Sequence, residues 1–306
     1  SFINPKNFYR FSNAFYILVL FSLALVLVLG DKGMGAQRWI VLGPIRFQPS
    51  EIAKISLVLV LARWFSKGSN TDKELGFKEI IIPCILALMP TLLIILQPDL
   101  GTGLLLLMIF GGVIFYKKIK IKVLMILLAI SSISGVFVYN YGLKEYQQKR
   151  VTSFLNPSLD ARGSGYNAIQ SKIAIGSGQA LGKGFMESSQ ASLNYLPENH
   201  TDFVFSIYNE EHGFVGSLIL MSLYLILFYR FLWLASNVSR VFDAIVIVGL
   251  MSIFFWHTFI NMGMVMGLMP IVGLPLPFMS YGGSSLMTFC LCCGLATSIS
   301  NSRNFF

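Results

Sequence analysis

Long apolar runs recur along this sequence, and each is about as long as a helix must be to cross a bilayer. A hydrocarbon core about 30 Å thick takes roughly 20 apolar residues at 1.5 Å of rise per residue. Only helices and closed barrels satisfy their backbone hydrogen bonds in lipid. We therefore predict an all-α polytopic helical bundle with eight spans, at 12–30, 49–66, 79–96, 100–116, 121–141, 206–233, 242–266 and 282–300.

The composition agrees with a bilayer as the main solvent. Hydrophobic residues make up 55% of the chain and charged residues 12%, whereas a soluble domain is roughly a quarter charged. The formal charge of +9 does not indicate nucleic acid, because the basic residues lie in short connections and no basic domain with interleaved aromatic residues occurs. We treat residues 1–306 as one polytopic domain in contact with membrane lipid.

The short connections on one side of the predicted bundle carry the Lys and Arg residues, which the positive-inside rule assigns to the cytoplasm. The long polar stretch 142–205 then lies outside, and loops of this length on a rigid scaffold often carry function. Within it, Tyr166–Ile175 has the pattern of a short helix that ends at the glycines of 176–178. We expect a large, partly helical extracytoplasmic loop.

The densest group of titratable side chains is Glu198, His200 and Asp202, where the external loop enters a span. Partial burial would raise the pKa of Asp202 and make it a better general base for a hydroxyl group. The alternative is a carboxylate that only caps the next helix. A metal site is a third possibility, for which the sequence shows no fourth ligand.

A second candidate is the pair Glu51 and Lys54, which share one helix face near the start of the second span. Charges at membrane depth are costly unless they are paired or face a polar cavity, so we expect both to face such a cavity. The alternative is a structural ion pair. Asp99, in a tight external turn, is interpreted first as a helix cap.

Two glycine- or proline-rich segments complete the candidates. The segment 176–184 resembles a phosphate loop only superficially, since Gly184 follows Lys183 where a Walker motif has Ser or Thr. Lys183 remains a candidate partner of a pyrophosphate, as do Lys172, Arg150 and Arg162 in the same loop. The prolines and glycines of 269–285 predict irregular backbone that lines a cavity, and His257 is interpreted as a hydrogen-bonded core residue.

Several of these segments, in the same order, resemble motifs of the SEDS family, the shape, elongation, division and sporulation membrane glycosyltransferases. The similarity is greatest to the elongation branch and next to the division branch. It covers nearly the whole chain and rests on residues 35–40, 48–54, 97–102, 165–166 with 170–178, 196–205 with Glu210 and Glu211, and 275–285.

The resemblance implies a fold of ten spans, two more than the eight counted here, so two amino-terminal spans of the family are expected to be missing from this sequence. It implies that lipid II is polymerised: the acceptor's 4-hydroxyl attacks the donor's anomeric carbon and displaces undecaprenyl pyrophosphate with inversion. Asp202 matches the family's essential aspartate. Glu51 and Lys54 become supporting cavity residues, and Trp39, Asp99, Glu198 and His200 rank behind them.

The resemblance also implies a divalent cation, Mg²⁺ or Mn²⁺, whose ligands the sequence does not identify. It implies a class B penicillin-binding protein as partner, the elongation machinery as setting, and the outer face of the bacterial cytoplasmic membrane as location. Two other functions stay open on the residues alone: a lipid II flippase, and a noncatalytic scaffold that activates a penicillin-binding protein.

Overall fold

The computed structural model describes residues 5–33, 36–42, 45–67, 74–143, 145–157, 160, 163–193, 195–196 and 200–303. The chain forms two compact units, each assembled from segments that are distant in sequence. The first unit contains residues 1–120, 227–256 and 282–306, and the second contains residues 121–226 and 257–281. The single domain expected over 1–306 stays a prediction.

Eight long helices coincide with the eight predicted spans. They are α1 (Pro5–Leu29), α2 (Pro49–Ser66), α3 (Phe77–Leu96), α4 (Leu100–Tyr116), α5 (Ile121–Phe137), α9 (Val204–Ser236), α10 (Val241–Val265) and α11 (Gly283–Arg303). In the described residues, six of them, all but α2 and α4, are long and apolar enough to cross a membrane by length and composition. The helix α4 is apolar but shorter, and α2 carries Glu51, Lys54 and Arg63. The number of spans stays a prediction.

Close helix contacts in the first unit depend on small residues. The Cα of Gly249 on α10 faces Val58 on α2 so closely that an added Cβ would overlap the valine side chain, and Gly112 on α4 meets Ser252 on α10 in the same way. Small residues let helix backbones approach, which is the main way that helices associate in lipid. This packing buries most of α2, including Glu51 and Lys54.

A small antiparallel sheet follows α1 and was not expected in an all-α fold. Its strands are β1 (Asp31–Gly33), β2 (Ala36–Leu42) and β3 (Ile45–Phe47), in the order β1-β2-β3. The guanidinium of Arg38 on β2 donates to the carbonyl oxygens of Gln97 and Pro98, beyond the end of α3. The strands β1 and β3, with three residues each, show too little alternation to be recognised in a sequence.

The second unit contains the predicted external loop, which is partly helical as expected. After α5 and a five-residue π-helical turn at Val138–Gly142 come α6 (Glu145–Leu155), α7 (Ser164–Ser177) and α8 (Ser189–Ser192). The helix predicted at Tyr166–Ile175 is confirmed as α7, which ends at Gly178. The following helix, α9, is bent at Gly213, whose backbone is not helical (φ 64°, ψ −162°).

Candidate functional site

The chain runs without regular structure from the end of α10 to the start of α11, and buried polar side chains hold this segment in place. Asn261 Nδ2 donates to the carbonyl of Leu274 at 2.7 Å, and Tyr224 Oη donates to that of Pro277 at 2.6 Å. His257 Nδ1 lies 3.0 Å from the carbonyl oxygen of Pro275. The interpretation of His257 as a hydrogen-bonded core residue is therefore confirmed.

The turn that carries Asp202 rests on this irregular segment through three consecutive backbone carbonyls. The backbone N–H of Tyr281 donates to His200 at 2.8 Å, Ser280 Oγ donates to Thr201 at 2.6 Å, and Asn261 Nδ2 donates to Asp202 at 3.0 Å. Each bond ends on a main-chain oxygen, so these three contacts hold the backbone of the turn directly.

The carboxylate of Asp202 lies beside Gly273 and is partly exposed. Gly273 has a left-handed backbone (φ 73°), and a Cβ added there would lie 3.2 Å from Asp202 Oδ2. Glycine suits this position because it tolerates positive φ and leaves room for the carboxylate. The acceptor atoms are thus kept accessible at the edge of the segment, which a proton acceptor for an incoming hydroxyl requires.

The other residues predicted around Asp202 have different positions. His200 is exposed on the same turn. Glu198 lies at 197–199 and Arg162 at 161–162, outside the described residues. In the parts of the chain that the structure describes, no three His, Cys, Asp or Glu side chains come together as metal ligands. The predicted divalent cation stays a prediction.

The predicted pair Glu51 and Lys54 lies in the first unit, on α2. Lys54 Nζ lies 2.7 Å from Glu51 Oε1, and the side chains are 0% and 6% exposed. Their position on one helix face is confirmed and both are buried, while the polar cavity that they were expected to face stays a prediction. Glu51 Oε2 is also buried and has no hydrogen-bond partner. A role of this pair toward a substrate stays a prediction.

Asp99 and Trp39 also lie in the first unit. Asp99 is buried and caps α4, since its carboxylate accepts from the backbone N–H of Thr102 at 3.3 Å and from Thr102 Oγ1 at 3.0 Å. The cap interpretation is confirmed. Trp39 is half-buried on β2, opposite Asp31 in the sheet. Substrate roles for Trp39 and Asp99 stay predictions.

Glu210 on α9 is the centre of a polar network that the sequence analysis did not identify. Its side chain is fully buried and accepts from Lys183 Nζ, Ser188 Oγ, Ser189 Oγ (2.7 Å), the Ser189 N–H (3.2 Å) and the Gln190 N–H (3.3 Å). Lys183 also donates to Ser189 Oγ at 2.9 Å. The charge of Lys183 is therefore balanced by Glu210, and a substrate role for this lysine stays a prediction.

Two glycines of the segment 176–184, Gly178 and Gly182, let this segment lie close to the backbone of α9 near its bend. The bend leaves the carbonyls of Glu210 and Glu211 free, and these accept from the N–H groups of Lys183 and Gly184 at 2.9 and 3.1 Å. In return, the N–H groups of residues 214 and 215 donate to the carbonyls of residues 179 and 180 at 2.9 and 3.0 Å. An added Cβ at Gly178 or Gly182 would overlap the α9 backbone.

We expect Gly182→Ala to destabilise the second unit, because Gly182 has φ 82° and its added Cβ would overlap the Glu211 carbonyl. Strain of this kind costs on the order of 1–3 kcal/mol. Thermal unfolding of the purified protein measures it. The control is Gly176→Ala, since Gly176 lies on α7 with nothing within 4 Å of an added Cβ. Equal melting temperatures for the two variants would contradict the close packing.

The helices and the segment around Asp202 define a class of protein, a multi-pass helical membrane protein with a carboxylate held on an irregular segment between two helices. Comparison with known proteins gives the family. The family model of the FtsW, RodA and SpoVE cell cycle proteins matches residues 1–305. The chain belongs to this family, and the resemblance to SEDS proteins is confirmed.

Similar proteins and similar solved structures agree with this family assignment. Peptidoglycan glycosyltransferase MrdB of Escherichia coli (strain K12) is 40% identical over 301 residues, which are 98% of this chain and 80% of that protein. Stage V sporulation protein E of Bacillus subtilis is 36% identical to this chain. The match covers 94% of this chain and 78% of that protein. The crystal structure of RodA from Thermus thermophilus has 29% sequence identity to this chain and a TM-score of 0.72. The match covers 99% of this chain and 81% of the RodA chain.

A second solved structure extends the comparison to an assembly. A chain from a peptidoglycan synthase complex, studied for the structural coordination of polymerization and crosslinking, has 33% identity and a TM-score of 0.84. The match covers 99% of this chain and 84% of that one. The expected similarity to RodA proteins, with FtsW proteins next, is confirmed.

Proposed function

We propose that this protein polymerises lipid II into glycan strands at the outer face of the bacterial cytoplasmic membrane, with Asp202 as the general base. The chain is a peptidoglycan glycosyltransferase, as its relatives are. The observation that carries the assignment of Asp202 is its position. Its backbone is fixed by three carbonyl hydrogen bonds in succession, and its carboxylate lies partly exposed against Gly273.

In this mechanism Asp202 takes the proton of the acceptor's 4-hydroxyl as the oxygen attacks the donor's anomeric carbon. A new carbon–oxygen bond forms while the bond from that carbon to the phosphate oxygen breaks, and undecaprenyl pyrophosphate leaves with the electron pair. Attack from the face opposite the leaving group inverts the anomeric centre. A base fixed through its own main chain loses little freedom on binding substrate, which favours the reaction.

The predicted divalent cation would supply positive charge to the pyrophosphate. Mg²⁺ commonly binds through one or two carboxylates and substrate phosphates, so the described residues do not need to provide a three-ligand cluster. Adding EDTA during turnover, with and without excess Mg²⁺ or Mn²⁺, tests the requirement.

We place the active site outside the membrane because the basic short connections identify the opposite face as cytoplasmic. A class B penicillin-binding protein, as part of the elongation machinery, is the proposed partner. This proposal is supported by the similarity to a chain of a peptidoglycan synthase complex studied for coordinated polymerization and crosslinking. Co-purification from cells that express both proteins would test it.

The function is tested by incubating purified protein with lipid II, with and without the penicillin-binding protein, and resolving the products by size. We expect glycan strands from the protein itself. Vesicles reconstituted in parallel separate the alternatives: movement of lipid II across the bilayer without glycan indicates a flippase, and glycan only from an active polymerase added in trans indicates a scaffold. Either result would contradict the proposal.

A further inference from the structure

A cavity lies in the first unit where the ends of three helices meet. We call it the helix-end cavity. Its walls come from the start of α1, the connection from α9 to α10 with the first turn of α10, and the end of α11. Its volume is about 320 Å³, and pockets that bind small molecules measure about 300–1,000 Å³. The cavity is therefore large enough for a small polar group.

The cavity lies at the level of the lipid headgroups on the cytoplasmic side. Lys6 and Arg240 in its wall are among the basic residues that assign this face to the cytoplasm. The helices α1 and α10 each have 25 residues, about 37 Å of helix, whereas the hydrocarbon core is about 30 Å thick. Their first turns therefore extend beyond the hydrocarbon.

Two cations line the helix-end cavity. Lys6 is exposed at the start of α1, and Arg240 is exposed just before α10. The hydroxyl-bearing residues Ser239 and Ser302 lie in the same wall. Basic pockets between helices on the cytoplasmic side of a membrane are typical sites for the phosphates of lipid headgroups. This part of the cavity therefore suits a phosphate.

The carboxylate of Asp243 gives the same cavity a second kind of polar group. Its side chain is only 5% exposed, and its Oδ2 lies 2.9 Å from Arg240 Nε. Its Oδ1 is buried and has no hydrogen-bond partner among the residues that the structure describes. Buried acceptors in proteins nearly always have a partner. A ligand that brings an N–H or O–H group would supply it.

A ligand that satisfies the whole cavity must therefore carry an anion and, a short distance away, a hydrogen-bond donor. Phosphatidylethanolamine has a phosphate followed by an ammonium group, and phosphatidylglycerol has a phosphate followed by hydroxyl groups. Phosphatidylcholine has the phosphate too, but its trimethylammonium group has no N–H to donate. The apolar side chains of Val238 and Ile299 in the wall suit the adjoining hydrocarbon of a lipid.

We propose that the helix-end cavity binds the headgroup of a phospholipid of the cytoplasmic leaflet whose outer end donates hydrogen bonds. The phosphate lies at Lys6 and Arg240, and the donor lies at Asp243 Oδ1. The inference does not rest on the proposed polymerase function. A lipid bound in this way joins the ends of three helices, and it stabilises the folded protein because it binds only that state.

The first test measures binding of phosphatidylethanolamine, phosphatidylglycerol and phosphatidylcholine, with identical chains, to the purified protein by native mass spectrometry. The first two should bind about tenfold to a hundredfold more tightly than the third, the value of one charge-assisted hydrogen bond. The tighter of the two identifies the headgroup. In Asp243→Asn the preference over phosphatidylcholine should fall to within a few-fold. This ratio is measured within one variant, so a general loss of binding does not change it.

A second variant tests the phosphate. Lys6→Gln should weaken binding of all three lipids by about fivefold, the value of one lysine near a membrane surface, and leave the ratio between them unchanged. The matched control is Lys78→Gln, because Lys78 is exposed at the second position of α3, as Lys6 is at the second position of α1, and does not line the cavity. This control should match the parent.

Three results would overturn the proposal. Equal binding of phosphatidylethanolamine, phosphatidylglycerol and phosphatidylcholine to the parent would show that Asp243 does not recognise the headgroup. Equal binding by Lys6→Gln and Lys78→Gln would show that the phosphate lies elsewhere. Equal competition by glycerophosphoethanolamine, which has the headgroup without the chains, would indicate a soluble ligand. If Asp243→Asn does not fold, the preference shown by the parent and the loss in Lys6→Gln still decide.

Discussion

Replacing Asp202 with Asn should lower the rate of lipid II polymerisation by about two to four orders of magnitude, the usual contribution of a general base. Asparagine keeps nearly the same volume and cannot take the acceptor proton. The hydrogen bond from Asn261 ends on the main-chain carbonyl of residue 202, which the substitution leaves unchanged. Folding and partner binding should therefore be retained, so the loss is in the chemical step.

The measurement is the initial rate of glycan formation by the purified variant, with its melting temperature determined beside it. Glu187→Gln is a matched control, since this exposed carboxylate lies in the same external loop. It should behave as the parent does. A stable Asp202→Asn protein that polymerises within a few-fold of the parent would show that Asp202 is not the base.

Breaking the buried ion pair on α2 should give the largest loss of stability. Lys54→Met leaves the Glu51 carboxylate buried, with its charge uncompensated. Removing one partner of a buried pair costs about 3–5 kcal/mol, whereas replacing both partners is often close to neutral. The double variant Glu51→Gln with Lys54→Met should therefore recover much of the loss.

Thermal unfolding in detergent compares these variants with Asp243→Asn. Asp243 forms a pair of the same i, i+3 spacing with Arg240, whose side chain is 42% exposed. The arginine left behind stays hydrated, so this variant should lose far less stability than Lys54→Met. If the Lys54→Met variant has the same melting temperature as the parent, the pair does not stabilise the fold. If it stays folded but makes no glycan, the pair is needed for activity and not for stability.

The long helices could be predicted from the sequence because the bilayer imposes one length and one pattern on every span. The turn around Asp202 could be located because three titratable residues interrupt an apolar sequence. The cap at Asp99 and the pair on α2 followed from local spacing, since both depend on residues three apart.

The remaining features depend on contacts between residues far apart in sequence, and no local pattern encodes them. The Glu210 network links residues 20 to 27 positions apart, and the bend at Gly213 is held by backbone bonds to residues 179 and 180. The hydrogen bond from Arg150 to the carbonyl of Ile271 joins residues 121 positions apart. A sequence supplies the candidate cations, but only the fold shows that Lys183 is paired with Glu210.

The three carbonyl bonds under the Asp202 turn have a consequence for how this protein can change over evolutionary time. Because these three bonds end on main-chain oxygens, a substitution of the exposed His200 side chain leaves all three acceptors in place. The positions that cannot drift lie elsewhere, at Asn261 and Ser280, which donate to it. Substitutions there would misplace the base from 59 and 79 residues away.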